Sequence, residues 1–157
     1  PKYPEVNGRL SGAKAIAELA GDSKAGRLKG QICLTCHRIG SDGVPFGPNL
    51  SQWGTARTIE EIAKEMLDPA AKLAHGYETP VRLQKGDHIA EGMLSNYSWH
   101  AGSLKIKLYG GLTKKILFRR KGVKVKQLEG HSWMPSAAQL TLTDQDGRDI
   151  AEWLKTR

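Results

Sequence analysis

The sequence predicts a mainly α fold with an inserted small antiparallel β-sheet or barrel, α+β overall. Two changes of period predict it. Apolar residues recur at helical spacing before Asp68 and again after Thr143. Between Tyr77 and His131 they alternate with charged ones, as in Leu104, Ile106 and Leu108 against Lys105 and Lys107. A third observation is composition. With 157 residues, 39% hydrophobic and 25% charged, the chain is long enough for one core and too apolar for disorder.

The elements follow in order. Ser11 to Ala20 is Ala-rich, with Ile16 and Leu19 on one face, and predicts a short helix. Asp22-Ser23 N-caps a second helix running through Leu28 towards Ile32. Gly40 to Leu50 carries three Gly and two Pro and predicts a loop. Thr58-Ile59-Glu60-Glu61 has capping-box form, and Ile59, Ile62, Ala63 and Met66 continue the helix to Asp68-Pro69.

Five strands are expected next: Tyr77 to Leu83, His88 to Leu94, Leu104 to Tyr109, Lys114 to Arg119 and Val123 to Gln127. Gly86-Asp87 and Gly110-Gly111 supply turns, as does Ser98 to Gly102. Thr143 to Asp146 opens a last helix, with Ile150, Trp153 and Leu154 as its buried stripe. Residues 1–21 are expected to be an N-terminal extension, and 22–157 one domain interrupted by an insertion over 77–131. The start at Pro1, with no initiator Met or signal-like segment, is that expected of a processed protein or a piece of a longer one. No apolar run approaches the roughly 18 residues of a membrane span.

Only two cysteines occur, in the string Cys33-Leu34-Thr35-Cys36-His37. This is the attachment pattern of a c-type haem. Two thiols at this spacing add to the two vinyl groups of one porphyrin, and the adjacent imidazole becomes an axial iron ligand. Other readings fit less. A structural disulfide leaves His37 a coincidence, and a thioredoxin-like pair needs a βαβ pattern that is missing. Zinc needs further ligands at zinc spacing, whereas His75, His88, His100 and His131 are scattered singly.

The chain resembles a class I c-type cytochrome, and most closely the planctomycete-type haem-binding domain family. The landmarks are Cys33 to His37, Gly47-Pro48-Asn49-Leu50, Leu67-Asp68-Pro69, Gly76-Tyr77-Glu78 and Ser132-Trp133-Met134-Pro135, in that order. They run from about Gly26 to Leu154; Trp133 departs from the pattern, standing where a small residue is expected. The resemblance implies a cytochrome c fold and one covalently attached haem c, with Met134 as the second axial ligand. Met134 lies in a loop beside Pro135, outside any periodic segment, whereas Met66 and Met93 fit core positions. His131 is the rival distal ligand; His75 and His100 are expected at the surface and His88 within a strand.

The resemblance also implies that the Pro48 carbonyl accepts a hydrogen bond from His37, with a simple turn proline as the plain alternative. It implies that Gly26 and the residues around Leu28 cross the last helix near Trp153. Trp53, Arg57 and Tyr77 are candidates for the haem propionates or, equally, for packing and surface charge.

The expected function is one-electron transfer, not catalysis. His37 and Met134 would fill both axial positions, and no phosphate loop or nucleophilic triad is present. Alternatives are a haem-based ligand sensor or gas-binding protein with a displaceable distal ligand, a redox domain excised from a larger dehydrogenase, and a polyanion-binding insertion. Haem c attachment implies a periplasmic or otherwise extracytoplasmic location. The net charge of +8 is local: His88 to Leu128 holds nine basic residues and one acid, Glu91. That asymmetry predicts an acidic redox partner, such as a dehydrogenase or oxidoreductase. Too few interleaved aromatics lie between Leu104 and Val125 to favour nucleic acid.

Overall fold

The computed structural model describes residues 10–157 except Trp99, without the side chains of Arg120 and Lys121. Most of the first ten residues of the expected N-terminal extension, and Trp99 of the expected turn, lie outside the described residues.

Four helices build one half. These are α1 (Ala13–Glu18), α2 (Ser23–Lys29), α3 (Ile59–Leu67) and α5 (Asp144–Lys155). Both longer ones open on a capping box: Thr58 with Glu61 on α3, and Thr143 with Asp146 on α5. Their apolar faces meet in a core of Ile62, Met66, Ile150, Trp153 and Leu154. Helices α2 and α5 cross where α2 has no side chain to keep them apart. A Cβ on Gly26 would lie 1.9 Å from the Asp149 carbonyl oxygen, and one on Gly30 2.3 Å from the Trp153 ring. Lys29 pairs with Asp146 at 3.1 Å across the same crossing. Asp149 accepts the Asp22 N–H at 2.8 Å, tying α5 to the N-cap of α2.

The other half is a five-stranded antiparallel sheet in the order β6-β5-β4-β3-β7. Its strands are β3 (Pro80–Lys85), β4 (His88–Ser98), β5 (Ser103–Leu108), β6 (Thr113–Ile116) and β7 (Lys124–Gln127). Helix α4 (Phe118–Lys121) links the two edge strands. A separate two-stranded pair joins β1 (Arg38–Ile39), just before the predicted loop, to β2 (Asp42–Gly43) within it. On one face of the large sheet Val81, Leu83, Leu104, Ile106 and Phe118 form a second core. On the other, the paired Pro80 and Met93 are buried.

The predicted mainly α cytochrome c fold is therefore corrected to a mixed α and β architecture. The helices are shorter than the periodicity suggests: α1 has six residues and α2 seven. The chain leaves the α conformation at Leu19, and at Gly30 it tightens into a 3-10 helix, Gly30–Thr35. Meanwhile β4 extends to 11 residues, and the sheet is open rather than a barrel. Its edges β6 and β7 are short and Lys-bearing, which discourages further pairing.

Local expectations change with it. Phe118 and Arg119 belong to α4, not to a strand. Leu19 is 37% exposed, and Leu28 is 76% exposed, so Leu28 takes no part in burying α2 on α5. No helix among the described residues is long and apolar enough to cross a membrane.

Candidate haem-binding site

Helix α2 delivers the cysteines. Asp22 caps it by accepting the N–H groups of Lys24 and Ala25. The 3-10 turn then brings Cys33, Cys36 and His37 together, because the amides of Cys36 and His37 both donate to the Cys33 carbonyl, at 3.1 and 2.8 Å. Both cysteines are free and half-buried. Burial pushes the Cys33 thiol up to about 11. A disulfide-exchange pair requires the opposite, an attacking thiol lowered towards neutrality.

His37 is buried, and its Nδ1 lies 2.7 Å from the Pro48 carbonyl oxygen. With Nδ1–H as donor, Nε2 keeps its lone pair, and it has no hydrogen-bond partner among the described residues. Burial lowers the His37 pKa below 6.5 despite the Pro48 bond, which favours the neutral, ligating form. Gly47 is demanded by this ring, since a Cβ there would stand 2.7 Å from Cε1. The loop is fixed by Phe46 and Gly47 amides that donate to the Cys36 carbonyl at 3.1 and 2.6 Å.

These residues line one wall of a cavity of about 360 Å³, within the range of cofactor and ligand pockets. Met134 lines another part of it, beside Trp133 and Ser132. The Trp133 indole donates to the Gly92 carbonyl at 2.9 Å, pinning the Met134 loop to β4. The Met134 amide donates to Ser132 Oγ at 3.1 Å. The departure at Trp133 is thus an anchor between loop and sheet. His131 does not line this cavity; it packs edge-on against Trp133, with ring centroids 4.4 Å apart.

Met93 and Met66 also line the cavity. Met93 is buried, as expected of a core position, and it also faces the cavity from the sheet side. At the rim stand Trp53, Arg57, Lys72, His75 and Tyr77. Arg57 stacks 4.1 Å above the Trp53 ring and donates to the Trp53 carbonyl at 2.7 Å. Lys107 Nζ lies 5.5 Å from the Tyr77 ring centroid. His75 is exposed but reaches the rim, whereas His88 and His100 lie exposed away from it.

The donor set suits a covalently attached haem. Two thiols, an imidazole with a free Nε2 and a thioether face one largely apolar space. A bare metal ion has no comparable place, because no group of three or more His, Cys, Asp or Glu could hold one among the described residues. Comparison with protein-family models and with curated proteins finds no match. The family resemblance therefore rests on the order of the motifs alone.

Proposed function

We propose that this protein is a monohaem c-type cytochrome that carries single electrons between a redox enzyme and an acceptor. The observation that carries the proposal is the buried His37, held by Pro48 with Nε2 free, beside Cys33 and Cys36 in a cavity also lined by Met134. Cys33 and Cys36 would hold the haem through thioethers, and His37 and Met134 would ligate its iron. When bound, the haem supplies a one-electron couple, raised in potential by thioether ligation.

The chain's own residues do the rest. Pro48 fixes the His37 ring and through Nδ1 raises the basicity of Nε2, while burial holds the imidazole neutral. Trp133 holds the Met134 loop to β4, so that both ligand-bearing segments rest on rigid elements. Met66, Met93, Ile62 and Leu154 line the cavity with apolar surface that excludes water. Arg57 and Tyr77 stand at the rim, where carboxylate groups of the haem would be met.

The basic stretch from His88 to Leu128 would steer an acidic partner, such as a dehydrogenase or another oxidoreductase. Thioether attachment would place the mature protein in the periplasm or another extracytoplasmic space. Expression with a c-type maturation system tests the proposal. A haem that stays with the chain under denaturing conditions and is lost in Cys33→Ser/Cys36→Ser is the expected result. A chain recovered with both thiols free would refute it.

A further inference from the structure

The tip of the β5–β6 hairpin ends in Tyr109-Gly110-Gly111-Leu112. The turn closes through Gly111 N–H on the Leu108 carbonyl and Leu108 N–H on the Leu112 carbonyl, at 3.0 and 2.8 Å. Gly110 and Gly111 both have positive φ, 82° and 79°, so the turn is one that glycines permit. Tyr109 is 50% exposed and Leu112 57% exposed.

This tip rests on the loop that follows the cysteines. Tyr109 stacks on Phe46 with centroids 4.6 Å apart, and meets Trp133 edge-on at 5.5 Å. Both Phe46 and Trp133 line the haem cavity. Gly111 comes so close to Pro45 that a Cβ on it would lie 3.1 Å from the proline ring. One aromatic ring thus separates an exposed surface from two walls of the cavity.

Around the tip the charge has one sign. From Ser103 to Ile116 the hairpin carries Lys105, Lys107, Lys114 and Lys115 and no acid. Lys105 stands directly opposite Lys115 across the β5–β6 pair. Like charges in that position destabilise a sheet, so folding alone does not account for them. A carboxylate-rich partner would relieve them. A second basic and apolar surface exists on α2, where Leu28 is 76% and Ile32 42% exposed. There, however, Lys29 is already paired with Asp146.

We infer that the β5–β6 hairpin tip is the docking site for an acidic redox protein, with Tyr109 and Leu112 at its centre, Lys105, Lys107 and Lys115 as its rim on one face and Lys114 flanking it on the other. The inference rests on the electron-transfer reading above. Aromatic centres with charged rims are the usual anatomy of such contacts. On docking, one electron passes from the reduced partner to the protein's cofactor. The partner is oxidised and the cofactor reduced; no bond forms or breaks and no proton is required.

Reduced flavodoxin, an acidic flavoprotein, is the probe, and the haem-loaded full chain is the target. Stopped-flow reduction of the wild type is expected to slow as ionic strength rises. Lys114→Glu/Lys115→Glu and Leu112→Asp are each expected to slow it by about tenfold at low ionic strength. Their reduction potentials should stay at the wild-type value, and Lys24→Glu/Arg27→Glu on α2 should keep the wild-type rate. Amide hydrogen exchange, which needs no electron transfer, should show protection by flavodoxin over 108–113.

Wild-type rates in the hairpin variants, or protection on α2 instead, would overturn the docking site while leaving electron transfer intact. So would hairpin-dependent binding of heparin or DNA, or a hairpin-dependent dimer, with an unaltered flavodoxin rate. A wild-type protein without a reversible one-electron potential would overturn the electron-transfer reading as well.

Discussion

The helical half and the sheet each bury a compact apolar cluster, one around Ile62 and Ile150 and the other around Leu104 and Ile106. Their surfaces differ. Outside His88 to Leu128 the chain balances 15 basic residues against 15 acidic ones, while inside it nine face a single Glu91. The helical half uses its acids structurally, as N-caps at Asp22 and in the capping boxes of Glu61 and Asp146. In the sheet Arg82 pairs with Glu91, whereas Lys105 stands opposite Lys115. The lesson is a division of labour. The helices carry the turn that holds His37, and the sheet closes the cavity with Met93 while presenting charge to solvent.

Substitutions can break that division, and the largest effect is expected at the cysteines. Cys33→Ser/Cys36→Ser should abolish covalent haem retention, seen on a denaturing gel stained for haem, while the sheet's amide exchange protection persists. Next come the two cores. Ile150→Ala and Ile106→Ala each remove a fully buried side chain and should each cost about 2–5 kcal/mol in denaturant unfolding. Only Ile150 lines the cavity, so only Ile150→Ala should also alter the visible absorption of the proposed haem.

The seam between the halves is a smaller term. Trp133→Phe removes the bond to Gly92 and should cost about 1 kcal/mol, with a weaker ferric thioether–iron band as the Met134 loop loosens. Acid sensitivity should be smaller still and felt in the helices before the sheet. Bonds to the Thr58 backbone and hydroxyl hold the Glu61 carboxyl below its usual 4.5. At Asp146 burial pushes the carboxyl up, but Thr143 and Lys29 bring it below 3.8 overall. Carboxyls lowered by folding stabilise fully above their unfolded values, and that stability is lost as pH falls through the lowered folded values. Hydrogen exchange should therefore quicken in α3 and α5 below about pH 4 before it does in the sheet.

Local signals in the sequence carried the helix starts well. Thr58 with Glu61 and the run from Thr143 to Asp146 mark the two longer helices, because caps act within a single turn. Cys33, Cys36 and His37 were legible for the same reason, their chemistry being written in five consecutive residues. What depends on contacts between distant segments was not. The resemblance placed Gly26 and the residues around Leu28 against the last helix; Gly26 does sit at the crossing, with Gly30, but Leu28 lies in solvent. Its place in a strand marked Met93 as a core position but not as a wall of the cavity. The stack of Tyr109 on Phe46 joins residues 63 positions apart and leaves no local trace. The balance of α and β differs because β4 runs past Leu94, while α1 ends at Leu19 and α2 at Gly30.

The most direct test of the central claim is a spectroscopic redox titration of the haem-loaded protein beside its Met134→Ala variant. The expected result is a reversible one-electron couple and a ferric thioether–iron charge-transfer band, with the band lost and the potential lowered in Met134→Ala. An identical spectrum and potential in the variant, or spontaneous carbon monoxide binding by the ferrous wild type, would contradict ligation by His37 and Met134.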